Sequence, residues 1–335
     1  MAVDVRELSF SYGGAPVLQN VSFSMHGGEV IALLGPNGVG KSTLFRCQLG
    51  FLKPTRGEIL IGGKPLSSYS HRDLAREIAY IPQSYAPTFN YSVRDSVLMG
   101  VTAKLGALES PTAAQQELVM QTLAQLGIAH LSERGSRKIS GGERQLMLIA
   151  RALVQDARVL IMDEPTANLD YGNSCRVMER VARLGREGYT VIFSSHDPNQ
   201  AFRYATRALA LKDGTLLADG APVQVLTEPV LSALYGLSVA VRSVDIGGTD
   251  YTVSLPGNNP EGFPKKHPVL CAHSLGSSAF GAEHRKFLFP HCGAVRLDYR
   301  AQAPREAKKE FSRLFGRMQR GLYLSRWSSA ASARR

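Results

Sequence analysis

The chain has 335 residues, 44% of them hydrophobic and 20% charged, with a formal net charge of +11. That length allows a large core and more than one folded unit, but no apolar run approaches the ~18 residues of a bilayer-spanning helix. The opening MAVDVRELSFSYGG has neither the basic start nor the apolar middle of a secretory signal. The charge is uneven: residues 245–335 hold 15 Lys/Arg against 7 Asp/Glu, so a high pI here does not make the whole chain a nucleic-acid binder.

From residue 3 to 24 apolar and polar residues alternate, which predicts short strands with a turn at Gly13-Gly14. Tyr12 at that turn is either an ordinary half-buried strand tyrosine or a ring that stacks on a base. Val30–Leu34 is aliphatic enough for a buried strand. It runs into Gly35-Pro36-Asn37-Gly38-Val39-Gly40-Lys41-Ser42-Thr43, which fits G-x-x-x-x-G-K-[ST] at every fixed position. A helical pattern through Leu44, Phe45, Gln48 and Leu49 follows at once. Strand, glycine loop and helix in that order are the context of a P-loop. Glycines let backbone N–H groups converge on phosphate oxygens, the helix points its positive end at them, and Lys41 adds a full charge. The Ser42 hydroxyl is a hard oxygen ligand for Mg²⁺. This stretch predicts binding of a nucleoside triphosphate.

Past the P-loop helix, Glu58–Ile61 reads as a strand, a helix begins near Ser70, and Ile78–Ile81 is a strand stopped by Pro82. Gln83 lies just beyond it, where crevices form in open parallel sheets, although a lone loop glutamine is usually only solvated. Residues 92–136 read as helical; Leu118, Thr122, Leu123 and Leu126 share one face and Gly127 is a plausible C-cap. In Ile139-Ser140-Gly141-Gly142-Glu143, Ser140 and Glu143 make a capping box for the next helix, and the two glycines leave its N-terminus open to an anion. Val159–Met162 is a buried strand ending in Asp163-Glu164, carboxylates placed to anchor a metal and to activate a water. Asn168-Leu169-Asp170 follows. Tyr189–Phe193 is a third buried strand, running into Ser194-Ser195-His196-Asp197, so His196 is a candidate γ-phosphate contact. A hairpin around Lys212-Asp213-Gly214 and short helices near Pro222 and Pro229 complete this part.

Residues 3–242 resemble the ATP-binding subunit of an ABC transporter, on five motifs in order. GPNGVGKST resembles Walker A, ISGGERQ the signature motif, VLIMDE Walker B, NLD the D-loop and SSHD the switch-histidine segment. Tyr12 falls at the adenine-stacking aromatic and Gln83 at the Q-loop glutamine. The resemblance implies an α/β fold: a P-loop NTPase core with an N-terminal antiparallel β subdomain and an inserted helical subdomain at about 85–155, the whole covering residues 1–242. It implies ATP and Mg²⁺ as ligands. Lys41 and the amides of the loop from Gly35 to Thr43 hold phosphates, Ser42 and Gln83 coordinate the metal, and Asp163 holds it through water. Glu164 is the catalytic base and His196 contacts the γ-phosphate. Ser140, Gly141, Gly142 and Asp170 serve ATP bound to a second copy, so a head-to-tail homodimer is expected. Ile139 and Glu143 depart mildly from the commoner Leu and Gln.

YSVRDSVLMG, ERQLMLIARAL, PTANLDYGN and VLTEPVLSALYGLSVAV resemble importers of iron(III)-siderophores, haem or cobalamin. The implied partners are two membrane-spanning permease subunits, contacted near Gln83 and the helical subdomain, and indirectly a solute-binding protein. The implied location is peripheral, on the cytoplasmic face of the inner membrane. An exporter ATPase is the nearer alternative. A non-transport ABC ATPase acting on nucleic acid or ribosomes usually carries tandem ATPase domains or a long coiled coil, and this chain shows one motif set and no extended heptads.

Residues 243–335 match nothing in that family and read as a basic C-terminal extension, linker or weakly ordered chain rich in Gly, Pro, Ser and Asn up to residue 304. Ala272-His273-Ser274-Leu275-Gly276 imitates a hydrolase nucleophile elbow without enough chain after it for that fold. Cys271, His273, His284, His291 and Cys292 have no closed metal-site spacing, and the four cysteines, with Cys47 and Cys175, form no C-x-x-C pair, as in a reduced compartment. Phe311, Leu314, Phe315, Met318 and Leu322 predict a basic amphipathic helix near 305–323, which Gly316 weakens.

Overall fold

The structure, a computed structural model, describes residues 3–85, 89–105 and 109–257. It begins with β1 (Val3–Ser11) and β2 (Pro16–Met25), antiparallel as their alternation predicts, and continues into β3 (Val30–Leu34), whose five residues are all buried. The P-loop leads into α1 (Lys41–Gln48). Next, β4 (Arg56–Ile61) pairs with β1 and with the short β5 (Lys64–Pro65), giving a four-stranded antiparallel sheet of order β2-β1-β4-β5. Helix α2 (His71–Glu77), capped by the Ser70 hydroxyl on the Asp73 N–H, feeds β6 (Ile78–Ile81).

The helical insertion is α3 (Val93–Leu98), a 3₁₀ segment at Met99–Lys104, α4 (Ala113–Gln125) and α5 (Gly141–Gln155). In α4 the buried stripe runs through Val119, Thr122, Leu123 and Leu126, whereas Leu118, expected on that face, is 40% exposed. Helix α5 lays its apolar side against α3 and α4 and leads to β7 (Val159–Met162), α6 (Tyr171–Arg186) and β8 (Thr190–Ser195). After α7 (Pro198–Tyr204), the hairpin of β9 (Arg207–Lys212) and β10 (Thr215–Gly220) turns at Asp213 and Gly214, both at positive φ (47° and 76°), as a two-residue primed turn requires. Helices α8 (Pro222–Val225) and α9 (Glu228–Tyr235) start at the two predicted prolines.

A six-stranded sheet of order β10-β9-β3-β8-β7-β6 lies at the centre, parallel except for the edge strand β10. Because side chains alternate along a strand, each strand serves two cores. Val30, Ala32, Leu34, Leu160, Met162, Val191, Phe193, Ala208 and Ala210 join the helical side. Ile31, Leu33, Ile161, Ile192, Leu209 and Leu211 join α1 and the antiparallel sheet. Burial on both faces explains why these strands read as unbroken aliphatic runs. The carboxyl ends of β3, β6, β7 and β8 therefore meet along one rim, and the P-loop, Gln83, the Asp163-Glu164 pair and His196 all follow those ends.

Regular structure continues past residue 242. Strands β11 (Val239–Ile246) and β12 (Thr249–Pro256) form a hairpin over Gly247 and Gly248, where the sequence analysis places linker. The physical reason is docking on α7. Ser254 is buried, its N–H and hydroxyl donate to Asn199 Oδ1 (2.8 and 3.1 Å), and Asn199 Nδ2 donates to the Ser254 carbonyl oxygen (3.3 Å). The elbow-like segment at Ser274, the Cys271–Cys292 group and the helix expected near 305–323 lie outside the described residues. Among the described residues no helix is long and apolar enough to cross a membrane.

A chain ending at Arg242 lacks the Ser254 anchor and is expected to lose about 2 kcal/mol. It should unfold ~4–8 °C below a chain ending at Gly257 in scanning calorimetry; equal midpoints would show that the hairpin contributes nothing to the domain.

Candidate functional site

The glycine loop owes its shape to backbone freedom at Gly38 and Gly40, both at positive φ (81° and 111°). Gly40 caps α1 with φ 111°, and a Cβ there would stand 3.0 Å from Leu18 and 3.1 Å from the Val17 carbonyl oxygen. Val39 packs inward on the α1 core, so its side chain is turned away from the pocket lining. The pocket above the loop is about 330 Å³ and is lined by Asn37, Gly38, Gly40, Lys41, Ser42, Thr43, Gln83 and Glu164. Gly35 and Pro36 sit behind it: Lys41 Nζ donates to their carbonyl oxygens at 2.7 and 3.0 Å. Lys41 is only 5% exposed. Burial pushes its pKa below the ordinary lysine value, and the carboxylates of Glu164 and then Asp163 partly offset this.

Three elements bring charge to the same point. Glu164 Oε1 lies 3.9 Å from Lys41 Nζ and 3.9 Å from His196 Nδ1, while Gln83 Nε2 donates to Glu164 Oε2 at 2.9 Å. The Glu164 backbone is in the left-handed region (φ 43°), a conformation that costs a non-glycine residue of order 1 kcal/mol and persists where surroundings over-determine it. Ser194 is one such restraint. Its hydroxyl donates to Asp163 Oδ1 (2.7 Å), and its oxygen accepts the Glu164 N–H (2.8 Å). Asp163 is anchored again where its N–H donates to the Ile81 carbonyl oxygen (2.9 Å), tying β7 to the strand end that carries Gln83. Ser194 was not among the expected site residues. Its signal is a pair of hydroxyls, Ser194-Ser195, at the end of an otherwise aliphatic strand.

Tyr12 is 59% exposed beside the pocket, its ring edge-on to Phe10 (4.8 Å between centroids) and its hydroxyl 3.4 Å from Thr43 Oγ1. An exposed ring at that position has a free face for stacking. The oxygen donors fit Mg²⁺: a Ser42 hydroxyl in the pocket and the buried Asp163 carboxylate nearby, with no group of three or more His, Cys, Asp or Glu among the described residues able to hold a metal alone. That is the donor set of an ion bound mainly through phosphate oxygens and water.

Ser140, Gly141, Gly142 and Asp170 do not line this pocket. They form a second cluster on the same chain. Ser140 and Glu143 make the predicted capping box, and two hydrogen bonds from Ser140, backbone first, hold the Glu143 carboxyl below its ordinary pKa. Asp170 caps α6 by accepting the Asn173 N–H (2.8 Å), which likewise lowers its pKa. Gly142 lies against Asn173, where a Cβ would come within 2.6 Å of the amide, and Gly141 lies beside Leu169. Ser140 and Asp170 are both exposed.

Residues 18–167 match the family model described as ABC transporter. An uncharacterized ABC transporter ATP-binding protein of Haemophilus influenzae is 39% identical over 238 residues, spanning 71% of this chain and 90% of that protein. A hemin import ATP-binding protein of Rhodopseudomonas palustris is 36% identical over 253 residues, 73% of this chain and 92% of its own. A solved metal-chelate type ABC transporter in an inward-facing conformation superposes with a TM-score of 0.69 at 31% identity, over 77% of this chain and 98% of the solved chain.

Lys41→Ala removes the buried positive charge of this pocket and should weaken ATP binding about 10- to 100-fold in calorimetry. Near-normal affinity would take Lys41 out of that role.

Proposed function

The chain belongs to the ABC transporter family as an ATP-binding, ATP-hydrolysing subunit, and on that premise we propose that it powers an importer of a metal chelate such as an iron–siderophore complex, haem or cobalamin. The haem and metal-chelate transporters among its relatives support the substrate class. The single observation that carries the catalytic reading is the convergence of Lys41, Gln83 and His196 on the Glu164 carboxylate at the mouth of the phosphate loop.

In this reading the amides of Gly38 and Gly40 and the Lys41 ammonium hold the β- and γ-phosphates of ATP, and Tyr12 stacks on the base. Ser42, Gln83 and, through water, Asp163 would hold Mg²⁺, which when bound neutralises charge on the β- and γ-phosphates. Glu164 takes a proton from a water as that water's oxygen attacks the γ-phosphorus, and the bond to the β-phosphate oxygen breaks in line. The proton ends on the Glu164 carboxylate and the electron pair leaves with ADP. Gln83 aims the carboxylate, and His196 contacts the γ-phosphate as it departs.

One chain leaves half of the nucleotide's surroundings unfilled. Ser140, Gly141 and Asp170 are exposed on the second cluster, with Gly142 buried just behind them against Asn173, an arrangement that supports a head-to-tail homodimer in which Ser140 and Gly142 cap the other copy's γ-phosphate and Asp170 crosses the same interface. ATP favours the closed pair and ADP the open one, because only the triphosphate touches both copies. Two membrane-spanning subunits, docked near Gln83 and the helical insertion on the cytoplasmic face, turn that closing and opening into solute movement; a solute-binding protein acts on them from the other side.

Glu164→Gln should keep ATP affinity within about threefold, slow hydrolysis ~100-fold or more, and accumulate an ATP-dependent dimer on size-exclusion chromatography. Sustained turnover would remove Glu164 as the base. A monomeric, fully active Ser140→Ala protein would remove the two-copy site.

A further inference from the structure

Helix α7 begins two residues after His196, and its first turn holds the loops on both sides of the hydrolytic centre. Gln200 Nε2 donates to Thr166 Oγ1 at 3.0 Å, and the Ser195 hydroxyl donates to Gln200 Oε1 at 3.1 Å. Thr166 follows Glu164 with only the buried Pro165 between them; Ser195 immediately precedes His196. The Ser195 oxygen also accepts the Asp197 N–H at 3.0 Å, so the same hydroxyl braces the far side of His196. A carboxamide offers one donor side and one acceptor side; here the donor goes to Thr166, and the acceptor takes the Ser195 proton with the Thr166 hydroxyl also 3.4 Å away.

We propose that Gln200 is a positioning residue for ATP hydrolysis, clamping the loop that carries Glu164 to the loop that carries His196. Two features make such a clamp matter. Glu164 keeps its left-handed backbone (φ 43°) by restraint from its surroundings: Ser194 holds its N–H, the Ala167 N–H donates to its carbonyl oxygen (3.0 Å), and the Gln200–Thr166 bond ties down the turn between them. His196 has a side chain 63% exposed, and the contact its imidazole makes is the 3.9 Å approach to Glu164, so its backbone neighbours Ser195 and Asp197 set its place. A shift of about 1 Å between the two loops moves the proton acceptor relative to the γ-phosphate, and misplacement on that scale costs up to ~100-fold in rate without weakening binding.

The proposal rests on Glu164 as the base, and the test separates the two. In purified full-length protein, steady-state ATP hydrolysis, ATP affinity and thermal midpoint are measured for Gln200→Leu, Gln200→Glu, Thr166→Val, the Gln200→Leu/Thr166→Val pair, Asn199→Ala and Glu164→Gln. Gln200→Leu and Thr166→Val should each lower kcat about 10-fold, leave KM and ATP affinity within about twofold, and combine to little more than either alone, as partners in one interaction do. Gln200→Glu keeps an acceptor for Ser195 and for the Thr166 hydroxyl proton, so kcat should return to within about threefold of the parent. Asn199→Ala, on the same turn, cuts the bonds to Ser254 and should lower the thermal midpoint with kcat unchanged.

Parental kcat in Gln200→Leu, or additive losses in the pair, would overturn the clamp. So would an equal kcat loss in Asn199→Ala, which would mark the effect as general loosening of α7. If Gln200→Leu does not fold, Thr166→Val and Gln200→Glu decide the question by the same kcat criterion. Turnover by Glu164→Gln would bring down the base assignment and the clamp with it, whereas an inactive Glu164→Gln beside a fully active Gln200→Leu would bring down the clamp alone.

Discussion

A buried ammonium is the constraint around which the rest of the site is arranged. Lys41 is held out of water at the start of α1, and a charge in that position must be met by partners. Its loop supplies the carbonyl oxygens of Gly35 and Pro36, and the end of β7 supplies Glu164 and Asp163. The strand order follows from this need. Placing β7 beside β8 and β6, one strand from β3, brings both carboxylates, the Ser194 hydroxyl and Gln83 to the rim where the ammonium emerges. In the proposed function a triphosphate takes the place of the loop carbonyls as Lys41's partner, and a buried ammonium favours dense negative charge.

The buried strands and the phosphate loop were legible because their signals are local. Five aliphatic residues before a glycine run can hardly be anything but a strand feeding a turn, and Ser140 with Glu143 forms the box their spacing announces. Helix α4 shows the limit of that method. Leu118 and Val119 are adjacent aliphatics, and only the packing against α3 and α5 decides that Val119 turns inward. The hairpin of β11 and β12 was misread although its pattern is present: Ile246-Gly247-Gly248-Thr249 is a two-residue turn between alternating segments. Its stability comes from Asn199, 55 residues earlier than its partner Ser254, and no window along the chain joins those two. Ser194 and Gln200 were hidden for the same reason, since their partners lie 30 to 34 residues away.

The two clusters to which the proposed function assigns the nucleotide differ in how they are built. The phosphate loop, Glu164 and Gln83 are fixed by the central sheet, whose strands are buried on both faces. Ser140 starts a helix of the insertion, and Asp170 starts α6, where Gly142 and Asn173 keep the two helix starts in close contact. Helix α5 also packs on β6, and α6 on β8 and β3, so the Ser140–Asp170 cluster sits where the insertion is joined to the central sheet.

The cap on α5 has a chemical corollary. A hydroxyl carries one proton and two lone pairs: the Ser140 oxygen receives the Glu143 N–H, and its proton goes to the Glu143 carboxylate. Serine thus finishes its own helix with both a donor and an acceptor, and its proton can meet another oxyanion only by leaving Glu143. Aspartate, which finishes α6 at position 170, serves as well for capping but has only repulsion to offer a phosphate. The choice of terminator at each helix start thereby decides which one carries a proton and which carries only lone pairs.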